Sequence, residues 1–211
     1  MMPAIYDMDL TITRAPTYTR WLLFWAWRRA RRRLALLPVV ALAAAGYQLG
    51  LLSRARLKEI AQYLLMGDGA LRADVERIAA AFASRVAIMP DALTQLAADR
   101  AAGHDIVMAT ASFDFYARAI ASRLNIGTVI ATRSVWEGDR LRARIDGENC
   151  YGAAKAAMVA RAVSATVTAA YSDHVSDAPL FAMAAVPVAV NPSRALRRLA
   201  ITQGWRVVDW R

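Results

Sequence analysis

Ala4-Ile5-Tyr6-Asp7-Met8-Asp9-Leu10-Thr11 is the stretch on which the reading of this chain turns. A short apolar run ends in two aspartates with one residue between them. If the run is a strand, both carboxylates leave its carboxyl end on the same side and face one crevice. One carboxylate can then attack phosphorus while the other exchanges a proton with the leaving group. The two are also close enough to share a divalent cation. An acidic turn with no chemistry would look the same in isolation, so the weight rests on residues further along the chain.

Three further signals stand downstream in order. Asp105-Ile106-Val107-Met108-Ala109-Thr110-Ala111-Ser112 is an apolar strand ending in hydroxyls. Lys155 opens a helical stretch after Gly152. Thr168-Ala169-Ala170-Tyr171-Ser172-Asp173-His174-Val175-Ser176-Asp177 is another strand, ending in two more acids. In this order the four motifs resemble those of the haloacid dehalogenase superfamily, in the branch that contains the phosphoserine phosphatases. The likeness runs from Ala4 to the C-terminus and is loose between Arg14 and Ile88.

The elements read from the sequence agree with that likeness. Strands are expected at residues 4–7, 105–110, 166–172, 186–190 and 205–208, with helices between them. Residues 129–135 and 140–145 form a hairpin across Glu137-Gly138-Asp139. The strands are continuous apolar runs, as in a parallel sheet covered on both faces. The expected fold is therefore α/β: a Rossmann-like parallel core of residues 1–13 and 89–211, with an inserted helical cap of residues 14–88. Breaks in the cap helices are expected near Pro38, near Gly50–Ser53 and at Gly67-Asp68-Gly69.

With 211 residues the chain can bury one full core plus a modest insertion. Its single cysteine, Cys150, excludes an internal disulfide framework and suits a reducing compartment. The first ten residues carry Asp7 and Asp9 and lack a basic start before an apolar core, so no secretory signal is expected there. A cytoplasmic protein is expected, with peripheral contact at the inner membrane face as an open expectation.

Charge is distributed unevenly. Residues 14–88 hold 13 basic and 4 acidic side chains, so nearly all of the net charge of +10 lies there. Such a segment attracts anionic surfaces, or it is a solvated arginine face. Leu34 to Ser53 is a run of 20 residues without a charge, preceded by Arg28-Arg29-Ala30-Arg31-Arg32-Arg33 and by the aromatic block Trp21–Trp27. Hydropathy alone would make it a membrane span. A single crossing would put Asp7 on one side and Lys155 and Asp173 on the other, which the four motifs forbid. Two readings stay open: residues 21–52 touch a membrane peripherally, or they pack as the cap's own core. A nucleic-acid partner is not expected, because the aromatics precede the arginines as a block instead of interleaving with them.

By the resemblance, Asp7 is the nucleophile and Asp9 the general acid and base. Thr110 binds a transferring phosphoryl oxygen, and Lys155 neutralises its charge and holds Asp7. Mg2+ is the expected cofactor, with Asp7, Asp173 and the backbone carbonyl of Asp9 as ligands and Asp177 as an alternate one. Asp177 could instead cap the helix after it. Lys58 and Lys155 are the only lysines among 27 basic residues. Lys155 is where a compact point charge would be kept, and Lys58 is expected at the surface. His174 is expected to line the site without reacting, and His104 to be structural.

The implied activity is a Mg-dependent phosphatase working through a phospho-aspartate. Ala111 and Ser112 stand where phosphoserine phosphatases usually carry two glycines, which disfavours phosphoserine. The apolar, arginine-rich cap suits an amphiphilic anion such as phosphatidylglycerophosphate. A small soluble phosphate is the alternative substrate, and a binding protein on an inactive scaffold is the alternative class.

Overall fold

The computed structural model describes residues 2–211. Eight strands form one sheet: β1 Met2–Tyr6, β2 Ala70–Leu71, β3 His104–Phe113, β4 Thr128–Glu137, β5 Arg140–Asp146, β6 Val167–Ser172, β7 Ala184–Val190 and β8 Arg206–Val208. Their order across the sheet is β2-β5-β4-β3-β1-β6-β7-β8. From β4 to β8 all pairings are parallel, and β5 and β2 extend the β4 edge antiparallel. The helices are α1 Tyr18–Arg29, α2 Leu37–Gln48, α3 Arg54–Met66, α4 Arg72–Ala83, α5 Pro90–Ala101, α6 Asp114–Arg123, α7 Ala153–Ala162, α8 Ala178–Phe181 and α9 Arg194–Gln203.

Side chains alternate across the central strands and build a core on each face. Ala4, Tyr6 and Met108 join Trp21, Phe82 and Tyr116 on one side. Ile5, Val107 and Ala109 join Val159, Leu180 and Leu196 on the other. Burial on both faces explains why β1 and β3 read as unbroken apolar runs. Local chemistry marks several helix ends. Pro90 opens α5, where its missing N–H costs nothing. The Ser53 and Ser193 hydroxyls accept from Arg56 N and Leu196 N at the starts of α3 and α9.

Residues 14–87 leave and re-enter the sheet through a narrow neck. Arg14 N donates to Ala87 O at 3.0 Å and Met89 N to Ile12 O at 2.9 Å. The helices beyond the neck do not stand apart from the sheet layer. Trp21 of α1 is fully buried and stacks on Tyr116 of α6, with ring centres 5.2 Å apart. Glu59 of α3 accepts from Ile145 N of β5 at 3.0 Å. The hairpin β4–β5 thus serves as a platform for α3.

The break expected near Pro38 is present. Arg31–Leu36 forms a 3₁₀ run, and Pro38 sits in the first turn of α2, where proline is favourable. Among the described residues no helix is long and apolar enough to cross a membrane.

Candidate active site

Strand register sets the site. Tyr6 pairs with Met108 of β3 and with Tyr171 of β6, so Asp7 lies one residue beyond both, at the carboxyl edge of the sheet. Asp7 N still donates to Tyr171 O at 2.9 Å, which holds its backbone in the ladder. Thr110 comes from β3 and Asp173 follows β6, so all three converge at the same edge. Crevices of this kind are the usual ligand sites of parallel α/β sheets.

After Asp7 the chain turns sharply. Leu10 has φ +60°, a left-handed conformation uncommon for a branched residue, and Ile12 N and Thr13 N both donate to Met8 O at 2.9 Å. The turn brings Thr17 back to the motif, where Thr17 N donates to Asp9 Oδ1 at 2.9 Å. From the other side Ser112 Oγ donates to Asp9 Oδ2, also at 2.9 Å. Ser112 is aimed there by an irregularity in β3. Thr110 pairs with Ala131 and Phe113 with Thr132, so Ala111 and Ser112 bulge out of the ladder. Ser112 N donates to Thr110 Oγ1 at 3.1 Å, which leaves the Thr110 hydroxyl proton free for a ligand.

Lys155 is buried between two carboxylates. Its ammonium donates to Asp7 Oδ1 at 2.8 Å and to Asp177 Oδ2 at 2.7 Å. Gly152, at φ +59°, precedes α7 and sets Lys155 in its first turn. Ser172 Oγ also donates to Asp177 Oδ2, at 2.7 Å. Asp177 therefore turns inward and makes no capping bond to the helix after it.

Asp7, Asp9, Thr110, Lys155, Asp173 and Asp177 all line one pocket of about 170 Å3. Its mouth adds residues that sequence reasoning did not single out. The Arg54 guanidinium lies over the Tyr151 ring at 4.2 Å, and both face the pocket with Leu10 and Pro16. His174 lines it too, its Nδ1 accepting from Ser176 N at 3.1 Å.

Lys58 is a correction. It is 6% exposed, and its ammonium donates to Ala111 O and, at 2.6 Å, to Asn149 Oδ1. It ties α3 to the bulge beside Thr110. Burial first, then the nearby Arg54, lowers its pKa to about 7. Cys150 is buried and its thiol is pushed up to about 12 by burial, so it is no nucleophile.

The electrostatics are those of a dry site with excess negative charge. Burial raises Asp7 to about 8, against the pull of Lys155, and raises Asp173 to about 7. Burial alone would lower Lys155, but Asp7 and Asp177 outweigh it and keep it protonated. Lys155 stays charged, because it has carboxylates on two sides. Burial also raises Asp9.

The Lys155 ammonium shares the pocket with the carboxyl groups of Asp7, Asp9, Asp173 and Asp177. A hard divalent cation would balance that excess and use acceptors that lack donors, such as the buried and unpartnered Asp177 Oδ1. Among the described residues no three Asp, Glu, His or Cys side chains converge as a ready metal cluster. The pocket carboxylates are hard oxygen donors, the kind that suit a cation with few protein ligands and several waters, such as Mg2+.

Comparison with known proteins places the chain. It is 30% identical over 128 residues to an inhibition of morphological differentiation protein of Streptomyces azureus, covering 58% of this chain and 46% of that protein. It is 32% identical over 124 residues to a phosphoserine phosphatase of Mycobacterium tuberculosis, covering 56% and 40%. The chain thus spans less than half the length of these curated relatives. A Bordetella pertussis protein of unknown function matches in structure with TM-score 0.86 and 25% identity, over 99% of this chain and 98% of that one. A probable phosphoserine phosphatase of Vibrio cholerae matches with TM-score 0.71 and 17% identity, over 98% and 60%, and shows the fold alone. The model of the haloacid dehalogenase-like hydrolases matches residues 4–182, and with its motifs gathered in one pocket the chain belongs to that family.

Proposed function

We propose that the chain is a Mg2+-dependent phosphomonoesterase that works through a phospho-aspartate on Asp7. The observation that carries this reading is the pairing of Lys155 with Asp7 at 2.8 Å on the floor of a pocket that also holds Asp9 and Thr110. Lys155 fixes one Asp7 oxygen and leaves the other free to attack. Asp7 forms a bond to phosphorus as the bond to the leaving oxygen breaks. Asp9, whose pKa burial raises, gives its proton to that oxygen. Asp9 then takes a proton from water as the water attacks the acyl phosphate, which releases phosphate and restores Asp7. Lys155 and the Thr110 hydroxyl offset charge on the phosphoryl oxygens throughout. Asp7, Asp173 and the Asp9 carbonyl would hold Mg2+, which supplies further charge neutralisation when bound.

The pocket volume of about 170 Å3 suits a phosphoryl group and little more. The rest of the substrate would lie outside, against Arg54 and Tyr151. No carboxylate stands among the mouth residues to hold an amino group, which favours an anionic or amphiphilic phosphate such as phosphatidylglycerophosphate over phosphoserine. Residues 14–88 would act as the cap that closes over this mouth. A binding protein on an inactive scaffold is disfavoured, since Asp7, Asp9, Thr110, Lys155 and Asp173 all line one pocket. The test is phosphate release with Mg2+ or with EDTA, across lipid and small soluble phosphomonoesters, with Asp7→Asn as the blank. No Mg-dependent release above that blank on any substrate would overturn the reading.

A further inference from the structure

A cleft of about 1030 Å3 opens between α1, the 3₁₀ run and α4, away from the carboxylate pocket. Phe24, Trp27 and Ile78 give it an apolar lining, and Arg20, Arg28, Arg31 and Arg85 also border it. Arg29 and Arg77 share Asp74. Among the described residues the other four arginines have no ion-pair partner. Arg28 and Arg85 lie over the Phe24 ring, 4.6 and 5.7 Å from its centre, and Arg31 lies over Trp27 at 4.6 Å. Three guanidinium groups thus rest on aromatic faces, and among the described residues no carboxylate pairs with them.

The same cleft is lined by Leu37, the first residue of α2. None of the 12 residues of α2 is buried, although the helix is almost wholly apolar. Leu42 is 73% exposed, and Leu49 and Leu51 just beyond the helix are 75% and 76% exposed. Single exposed leucines are ordinary, but here they follow one another along one element. The helix spans roughly 18 Å at 1.5 Å per residue. A short loop leads from its end to Ser53, which caps α3, and the next residue is Arg54 at the mouth of the catalytic pocket. α3 then returns, and Arg33 closes the pair by donating to Tyr63 O at 3.0 Å. One ridge therefore joins the arginine cleft to the active-site mouth.

We propose that this ridge docks the protein on an anionic lipid bilayer. The leucines of α2 and its following loop enter the interface, and the cleft arginines meet anionic headgroups. An apolar helix beside uncompensated arginines is the combination such surfaces bind. A two-fold dimer through this face would set the same unpaired arginines against their own copies. A nucleic acid would satisfy the arginines and leave the leucines in water. The surface goes beyond the phosphatase reading and does not depend on it.

The test is flotation of the full chain with vesicles of phosphatidylcholine, alone or with one third phosphatidylglycerol. Binding is expected to the anionic vesicles only and to weaken with added salt. The double change Arg28→Glu and Arg85→Glu lowers the partition coefficient at least about tenfold. Leu42→Asp with Leu51→Asp lowers it comparably. All four positions are exposed, so both variants keep the parent's thermal melt. The Asp7→Asn chain binds as the parent does, which separates docking from turnover. Equal binding to both vesicles, or variants that float like the parent, overturns the proposal. So does retention on an oligonucleotide without vesicle binding, or a dimer that Leu42→Asp dissolves while no vesicle is bound.

Discussion

Ser112 and Asp9 lie 103 positions apart in the chain and meet through a 2.9 Å hydrogen bond from the serine hydroxyl to Asp9 Oδ2. With Thr17 N on Oδ1, the bond fixes the carboxyl that the proposed chemistry uses as an acid. A hydroxyl at this position also steadies the charged form left after the proton departs. Ser112→Ala is expected to lower kcat roughly tenfold at unchanged KM, the size of one hydrogen bond to a charged group. It should also move the basic limb of the pH–rate profile upward, because the anion loses a donor. An unchanged profile would reduce Ser112 to a structural residue of the bulge.

Removing Lys155 should cost stability as well as activity. Lys155→Met leaves Asp7 and Asp177 facing each other without a cation in a buried site. Breaking a buried pair in this way costs about 3–5 kcal/mol near neutral pH. The loss should shrink in mild acid, where the carboxyls take up protons instead. Urea denaturation at both pH values measures it, and equal stability of variant and parent would contradict the buried pair.

The metal-free protein should lose stability as pH rises from about 5 to 7. Burial raises Asp7 to about 8 and Asp173 to about 7, against about 3.9 for an unfolded aspartate. The folded state then holds more protons than the unfolded one, so its advantage is full below about pH 4 and fades as pH climbs through the folded values. Lys58, lowered to about 7, acts in the opposite sense mainly above that pH, and His174, lowered by burial, opposes the trend within the window, so a net fall shows that the carboxyls outweigh it. Mg2+ should raise the melting temperature more at pH 7 than at pH 5. A melting temperature indifferent to both pH and Mg2+ would remove the cation from this site.

Much of this architecture was legible in the sequence, for physical reasons. β1, β3 and β6 are buried on both faces, so they stand out as apolar runs, and the chemistry is placed at their carboxyl ends or directly after them. The β4–β5 turn was marked by Gly138. Other features left no local trace. β2 is two residues long and exists only through its pairing with β5. The destination of the Asp9 carboxylate depends on a bulge in a strand a hundred residues away. Lys58, by contrast, lies on the buried stripe of α3 with Ala61, Gln62, Leu65 and Met66, so its face was readable from helical spacing but its charge suggested solvent; Arg54, one turn earlier on that face, reaches the mouth.

The aromatic block divides in a way that hydropathy could not show. Trp21 and Trp25 are buried, while Trp27 is 59% exposed and borders the arginine cleft. Trp21 packs against Phe82, Phe115 and Tyr116, joining α1 to α4 and α6. Trp21→Ala should therefore cost about 3–5 kcal/mol, as the loss of a large buried aromatic does. Trp27→Ala should cost less than about 0.5 kcal/mol, as an exposed substitution does. Because Trp21 joins the helical segment to the sheet layer, the unfolding transition of the Trp21→Ala chain should stay single while shifting to lower denaturant. A split into two transitions would show instead that residues 14–87 fold as a unit of their own.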